Sequence, residues 1–391
     1  MNKLPARILS IDALRAITMF LMIFVNDVAG VSNIPAWIEH TEANVDGMGF
    51  SDLIFPAFLF IVGLSLPFAI NSRIKQGKSF AHITAYIFLR SLALIVMGFF
   101  HVNLENYNKT DALLPYGVYT ILITLSFFLI WLDYPKSISR AKKTSLICIG
   151  VAALVAMAII YKGGTTSHPE GLKPHWWGIL GIIGWAYLLT AFTYLLSNGK
   201  LWLLIPAFFI FSAINVLTHM GILTLKIWLI GDASSITLML GGVLISTLYT
   251  LLIAKGKDTN FWILLNLAGA LSIIFGSFIR PLAGGISKIY ATPAWVFICM
   301  GITILAFELL VYIVDSRQQR NLFKLIKPAG TSTLTCYLIP YILYAFFGLI
   351  NFHFPHFLNT GTGGIIRSFL IAFLVIAIVS LLEKKKLRLS I

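Results

Sequence analysis

The run SDLIFPAFLFIVGLSLPFAIN, residues 51–71, decides the architecture. After Asp52 it carries no charge before Arg73, and its length matches the roughly 20 apolar residues that a helix needs to cross a bilayer. Eleven more runs of this kind lie at 12–29, 81–101, 114–133, 144–161, 176–196, 201–219, 233–254, 260–280, 292–314, 331–352 and 364–383. The chain therefore reads as all-α, a polytopic membrane protein of about 12 spanning helices in one domain, 1–391. Intervals between runs reach only about 20 residues, too short to hold a separate soluble domain. Of the 391 residues 58% are hydrophobic and 11% charged, whereas soluble domains carry about a quarter charged residues, so a soluble enzyme is excluded.

The 29 Lys and Arg against 15 Asp and Glu give a net charge of +14, which in a soluble protein would point to nucleic acid. Their distribution points to membrane orientation instead. With the N-terminus inside, 20 cations fall on the inner segments: Lys3, Arg7, Arg73, Lys75, Lys78, Lys136, Arg140, Lys142, Lys143, Lys200, Lys255, Lys257, Arg317, Arg320, Lys324, Lys327, Lys384, Lys385, Lys386 and Arg388. Only six fall outside: Lys109, Lys162, Lys173, Lys226, Arg280 and Lys288. This bias puts both termini in the cytoplasm and the bundle in a bacterial-type inner membrane, with lipid rather than nucleic acid as its macroscopic partner. Lys3 and Arg7 ahead of the first run resemble a signal peptide, but no small-residue cleavage pattern follows, and the run reads as a retained first helix. Cys148, Cys299 and Cys336 all fall inside spans and read as small core residues, with neither a disulfide framework nor a metal site.

Polar residues gather in the outer loops. The first holds Glu39, His40, Glu42, Asn44 and Asp46, between Asn26 and Asp27 at the outer end of the first span and Asp52 at the start of the second. An imidazole titrates near neutrality, so His40 can serve as general base or as a nucleophile that takes an acyl group. Asp52 can hold one ring nitrogen while also capping its own helix, and Asn26 sits where it can donate to a developing oxyanion. Asp27, Glu39, Glu105, Asn106, Asp232 and Lys288 are the candidates for binding an acceptor on the outer side. The inner face, with 20 bases to six acids, would draw a phosphorylated cosubstrate, and Arg15, Arg73, Lys78 and Arg90 are the candidates for it. Arg90 and Glu308 lie at similar depths, which leaves two readings for Arg90: an ion pair with Glu308, or a contact to an anionic ligand. Asp12 and Arg15, three apart, can share a helix face as a local pair.

The pieces Arg7-Ile8-Leu9-Ser10-Ile11-Asp12-Ala13-Leu14-Arg15, Met22-Ile23-Phe24-Val25-Asn26, His40 and Ser51-Asp52-Leu53-Ile54-Phe55-Pro56-Ala57-Phe58 through Ser65 resemble, in order and spacing, the heparan-alpha-glucosaminide N-acetyltransferase family of transmembrane acyltransferases, especially its bacterial branch. Weaker similarity continues at Gly285-Ile286-Ser287-Lys288 and Gly330-Thr331-Ser332. The resemblance implies that acetyl-CoA binds from the cytoplasm and that its acetyl group reaches an amino sugar or glycan on the far side. It also implies that His40 is catalytic, with Asn26 and Asp52 matching the polar residues that end the first helix and open the second. The expectation is a transmembrane acetyltransferase that uses acetyl-CoA and no metal, with a homodimer compatible with the fold. The rival is a transporter for amino sugars, since secondary carriers also combine twelve spans with intramembrane charges.

Overall fold

A computed structural model describes residues 9–224, 230–319 and 321–391, and Lys3, Arg7, Lys226 and Arg320 lie outside them. The elements are α1 (Leu9–Val28), α2 (Ser51–Lys75), α3 (Phe80–Val102), α4 (Tyr116–Trp131), α5 (Arg140–Ile160), β1 (Gly163–Thr165), β2 (His168–Glu170), α6 (Gly178–Leu196), α7 (Leu201–His219), α8 (Ser234–Ala254), α9 (Asp258–Ile279), α10 (Pro293–Leu310), the short α11 (Lys327–Thr331), α12 (Thr333–Leu349) and α13 (Gly361–Lys384). Each of the twelve predicted runs coincides with one helix, and α11 is a turn between α10 and α12. Among the described residues, ten helices are long and apolar enough to span a bilayer; α4 and α12, with 16 and 17 residues, are shorter. The only strands among the described residues are β1 and β2, an antiparallel hairpin in the loop after α5.

Local chemistry sets the ends. Ser79 and Ser139, both in extended backbone, accept the N–H of His82 and Lys142 and start α3 and α5. Pro115 stands at the start of α4, and beyond its other end Leu132 turns extended to bridge Leu389, so this span is shorter than the predicted 114–133. Past Leu310, α10 widens into a π turn, Val311–Ser316, whose Asp315 accepts the N–H groups of Leu9 (3.0 Å) and Ser10 (3.3 Å). The first turn of α1 is thereby capped by a residue about 300 positions away in the chain.

The core of the bundle is α1, wrapped by α2, α10, α11, α12 and α13, while α2 packs along α8 and α3 along α6. Small residues let the last two pairs approach closely. A Cβ at Gly63 would come 1.9 Å from the Met239 carbonyl oxygen, and one at Gly98 would come 2.2 Å from the Gly181 nitrogen. Close contact of α3 with α6 fixes the outer end of α6 over the interior of the bundle.

Three expectations change. Arg90 and Glu308 do not pair: Arg90 donates to the Tyr86 hydroxyl (2.7 Å) on its own helix, whereas Glu308 accepts from Asn266 (2.5 Å) on α9. Similar depth along two helices does not place two side chains on facing sides. Cys148 is exposed on the lipid-facing α5 and is not a core residue, unlike the buried Cys299 and Cys336. Asp27, read as an acceptor contact, is buried against α12 and α13. Its Oδ1 accepts from Arg367 (2.9 Å) and Ser368 (2.5 Å), and its Oδ2 accepts from Tyr344.

Candidate active site

The loop from Gly30 to Phe50 folds back onto the start of α2. The Phe50 N–H donates to Trp37 O (2.7 Å), and the Ser51 hydroxyl to Ile38 O (2.5 Å). This is possible because Gly49 has no side chain: a Cβ there would lie 1.9 Å from the Glu39 carbonyl oxygen. Asp52, 1% exposed, is then enclosed by the loop it supports. Its Oδ2 accepts the N–H of Thr41 and of Gly49, both at 3.0 Å, and its Oδ1 lies 2.7 Å from His40 Nδ1. The neutral ring with its hydrogen on Nδ1 satisfies this contact and leaves a lone pair on Nε2.

Lys288 also meets the ring, with its Nζ 3.1 Å from Nδ1, 3.5 Å from Nε2 and 3.8 Å from Asp52 Oδ1. Near-equal distances to both ring nitrogens put the amine over the ring face, since in the ring plane it would collide with Cε1. Burial lowers the Lys288 pKa from its ordinary value, and Asp52 acts in the opposite sense.

Lys288 reaches His40 because the loop between α9 and α10 is latched to the His40 loop. Asp46 accepts the Ile286 N–H (2.7 Å) and the Arg280 Nε (2.9 Å), and Gly47 N–H donates to Ile286 O. The Ile286 hydrogen bond first, and then the Arg280 guanidinium, hold the Asp46 carboxyl below the usual range. Gly285 adopts φ +74°, and a Cβ there would approach the Asp46 carboxylate to 2.9 Å.

Two of the cavities bear on the site. The outer one, about 880 Å³, is lined by His40, Lys288, Asn26, Asp232 and the indoles of Trp176, Trp177, Trp185 and Trp295. In the wall of this cavity, Asp232 accepts the N–H (3.0 Å) and hydroxyl (2.6 Å) of Ser234, and burial raises its pKa. The inner cavity, about 480 Å³, is lined by Arg15, Arg90, Ser65, Tyr187, residues 330–334 and residues 388–391. Arg15 donates to Ser65 Oγ (2.5 Å), to Gly330 O (3.3 Å) and to Asp12 (3.2 Å). The walls of the two cavities share Met22 and Ile179.

Of the expected site residues, the structure brings His40, Asp52 and Lys288 into mutual contact, places Asn26 and Asp232 in the wall of the same cavity, and places Arg15 and Arg90 in the wall of the other. It does not bring the rest there. Besides Asp27, these are Glu39, part-exposed beside Gly49; Glu105, which accepts from the Trp176 indole (3.1 Å); and Asn106, which lies 3.4 Å from His175. Arg73 stacks over Tyr86 at 3.4 Å and donates to Ala69 O, and Lys78 is exposed in the turn after α2. The latch at Asp46 and Arg280 was missed, as were the four indoles. The Gly284-Gly285 pair was a signal for the latch, while tryptophans near helix ends are equally expected of a membrane interface.

Residues 8–384 match the acyltransferase domain family. Among curated proteins, the chain is 35% identical over 103 residues to heparan-alpha-glucosaminide N-acetyltransferase of Homo sapiens, which is 26% of this chain and 15% of that protein. It is 30% identical over 142 residues to the protein of the same name from Mus musculus, covering 34% of this chain and 21% of the relative. The matched stretches thus span about a fifth or less of the length of these relatives.

Proposed function

This chain belongs to the acyltransferase domain family, and on that premise we propose that it transfers acetyl from cytoplasmic acetyl-CoA, across the inner membrane, to an amino sugar or glycan on the other side. The observation that carries this reading is the pair of cavities whose walls share Met22 and Ile179, with His40 in the wall of one and Arg15 and Arg90 in the wall of the other. Two arginines suit the phosphates of CoA. The indoles of the outer cavity suit the apolar face of a sugar ring, and Asp232 suits its ammonium group.

The unprotonated Nε2 of His40 supports two routes. In one, it attacks the thioester carbonyl, the C–S bond breaks with CoA leaving as thiolate, and the acceptor amine then takes the acetyl from the imidazole and gives up a proton. In the other, Nε2 removes the amine's proton as the amine attacks the thioester directly, and the C–S bond breaks with CoA leaving as thiolate. Either route passes through an oxyanion, which the Lys288 ammonium and the Asn26 amide, both in the wall of this cavity, would stabilise. Asp52 keeps the ring in the tautomer that both routes need.

The test is acetyl transfer into proteoliposomes by the purified protein, with CoA-induced thermal stabilisation measured alongside. Transfer that is lost in His40→Ala while CoA still stabilises supports the reading. Normal transfer by His40→Ala refutes it, and stabilisation by free sugars but not by CoA favours a carrier.

A further inference from the structure

The two cavities have no wall residue in common except Met22 and Ile179. Resting on the acyl-transfer reading, we propose that these two side chains are the specificity-determining neck of the passage, selecting the acyl group by girth rather than by length. Met22 stands roughly 20 Å along α1 from Leu9 at 1.5 Å per residue and lines both cavities, so a thioester that crosses from the inner cavity to the outer one passes it. The acyl group is the leading end and meets the neck first.

The two jaws differ in stiffness. Ile179 is β-branched and sits in the first turn of α6, where Gly98 of α3 is pressed against the backbone. A Cβ at Gly98 would lie 2.6 Å from Trp177 O and 2.7 Å from Gly181 Cα, so this jaw has no slack. Met22 is 4% exposed and unbranched, and its torsions let it swing without moving α1. A fixed jaw facing a movable, thin one passes a straight chain and obstructs a branched one. The outer cavity beyond the neck does not restrict length, since it is the larger of the two, about 880 Å³ against 480 Å³. Both jaws are apolar, so the junction gives water and ions no polar partner.

The experiment compares butyryl-CoA with its branched isomer isobutyryl-CoA as donors to reconstituted protein. One misplaced methyl in an apolar constriction is worth about tenfold or more, so wild type should prefer the straight isomer by at least about that factor. Met22→Ala should bring the ratio to within about threefold, and Ile179→Ala, on the other jaw, carries the same expectation should Met22→Ala fail to fold. Ile149→Ala, on the exposed face of α5 and outside both cavity walls, should leave the ratio where it was. Met22→Trp should cut transfer from every donor by about tenfold or more while CoA still raises the thermal midpoint. Equal use of both isomers by wild type, or an unchanged ratio in a folded alanine variant, overturns the neck and leaves the acyl-transfer reading standing. Absence of transfer from any acyl-CoA by wild type overturns both.

Discussion

Asp52 holds His40 at 2.7 Å through Oδ1 while its Oδ2 is pinned by two backbone N–H groups, so the carboxylate is fixed in place independently of the ring it orients. Asp52→Asn should therefore leave the loop folded and the ring misoriented. Transfer should fall by about 10² to 10⁴ with CoA binding unchanged, the range by which positioned proton transfer accelerates such reactions. Transfer within a few-fold of wild type would remove Asp52 from the mechanism.

The lowered pKa of Lys288 gives the reaction an alkaline limb with a definite sign. Its ammonium is lost as pH rises through a value below the ordinary 10.5, and stabilisation of the oxyanion is lost with it. The rate of transfer should fall there with rising pH. Lys288→Arg should move that fall to higher pH, because a guanidinium stays charged. An identical alkaline limb in the arginine variant would assign the limb to another group.

Asp27 and Arg367 join the outer ends of α1 and α13 at 2.9 Å, with side chains 3% and 10% exposed. Removing one partner strands a buried charge, a loss of about 3–5 kcal/mol. Asp27→Leu and Arg367→Leu should each destabilise by that order in denaturant unfolding in mixed micelles, and the double variant should lose much less than their sum. Additive losses would mean that the two residues act separately.

The latch at Asp46 is weaker, because the carboxylate is half exposed and screened by solvent. Its depressed pKa means that its contribution is present above the ordinary carboxylate range and is lost as pH falls through the lowered value. Asp46→Ala should cost about 1 kcal/mol or less and speed amide exchange across residues 37–50 by a few-fold at neutral pH. Unchanged exchange in that segment would show that the loop is held by other contacts.

The twelve spans were legible because bilayer thickness imposes one length and one polarity on each helix, and this pattern survives without knowledge of packing. Which helices touch was not legible, since lipid and protein faces are both apolar: Asp27 and Asn26 are consecutive, yet one is buried against α13 and the other opens to the outer cavity. His40 and Asp52 stood out because one short loop joins them. Lys288 stood out as an outer cation, but its contact with His40 depends on a latch whose partners, Asp46 and Ile286, are 240 positions apart, and no local pattern encodes that. Arg73 and Lys78 were assigned by charge sidedness alone, which says which face a cation is on and nothing about which groove.

His40 and Lys288 are separated by 248 positions, and eight helices, α2 to α9, emerge from the ribosome between them. A nascent chain therefore displays the imidazole and its carboxylate long before the amine arrives. During insertion the growing polypeptide carries only half of the cluster, so it would be a poor hydrolase of cellular thioesters until α9 and α10 are seated. Competence arrives late and all at once, as a by-product of the order in which the translocon releases the segments.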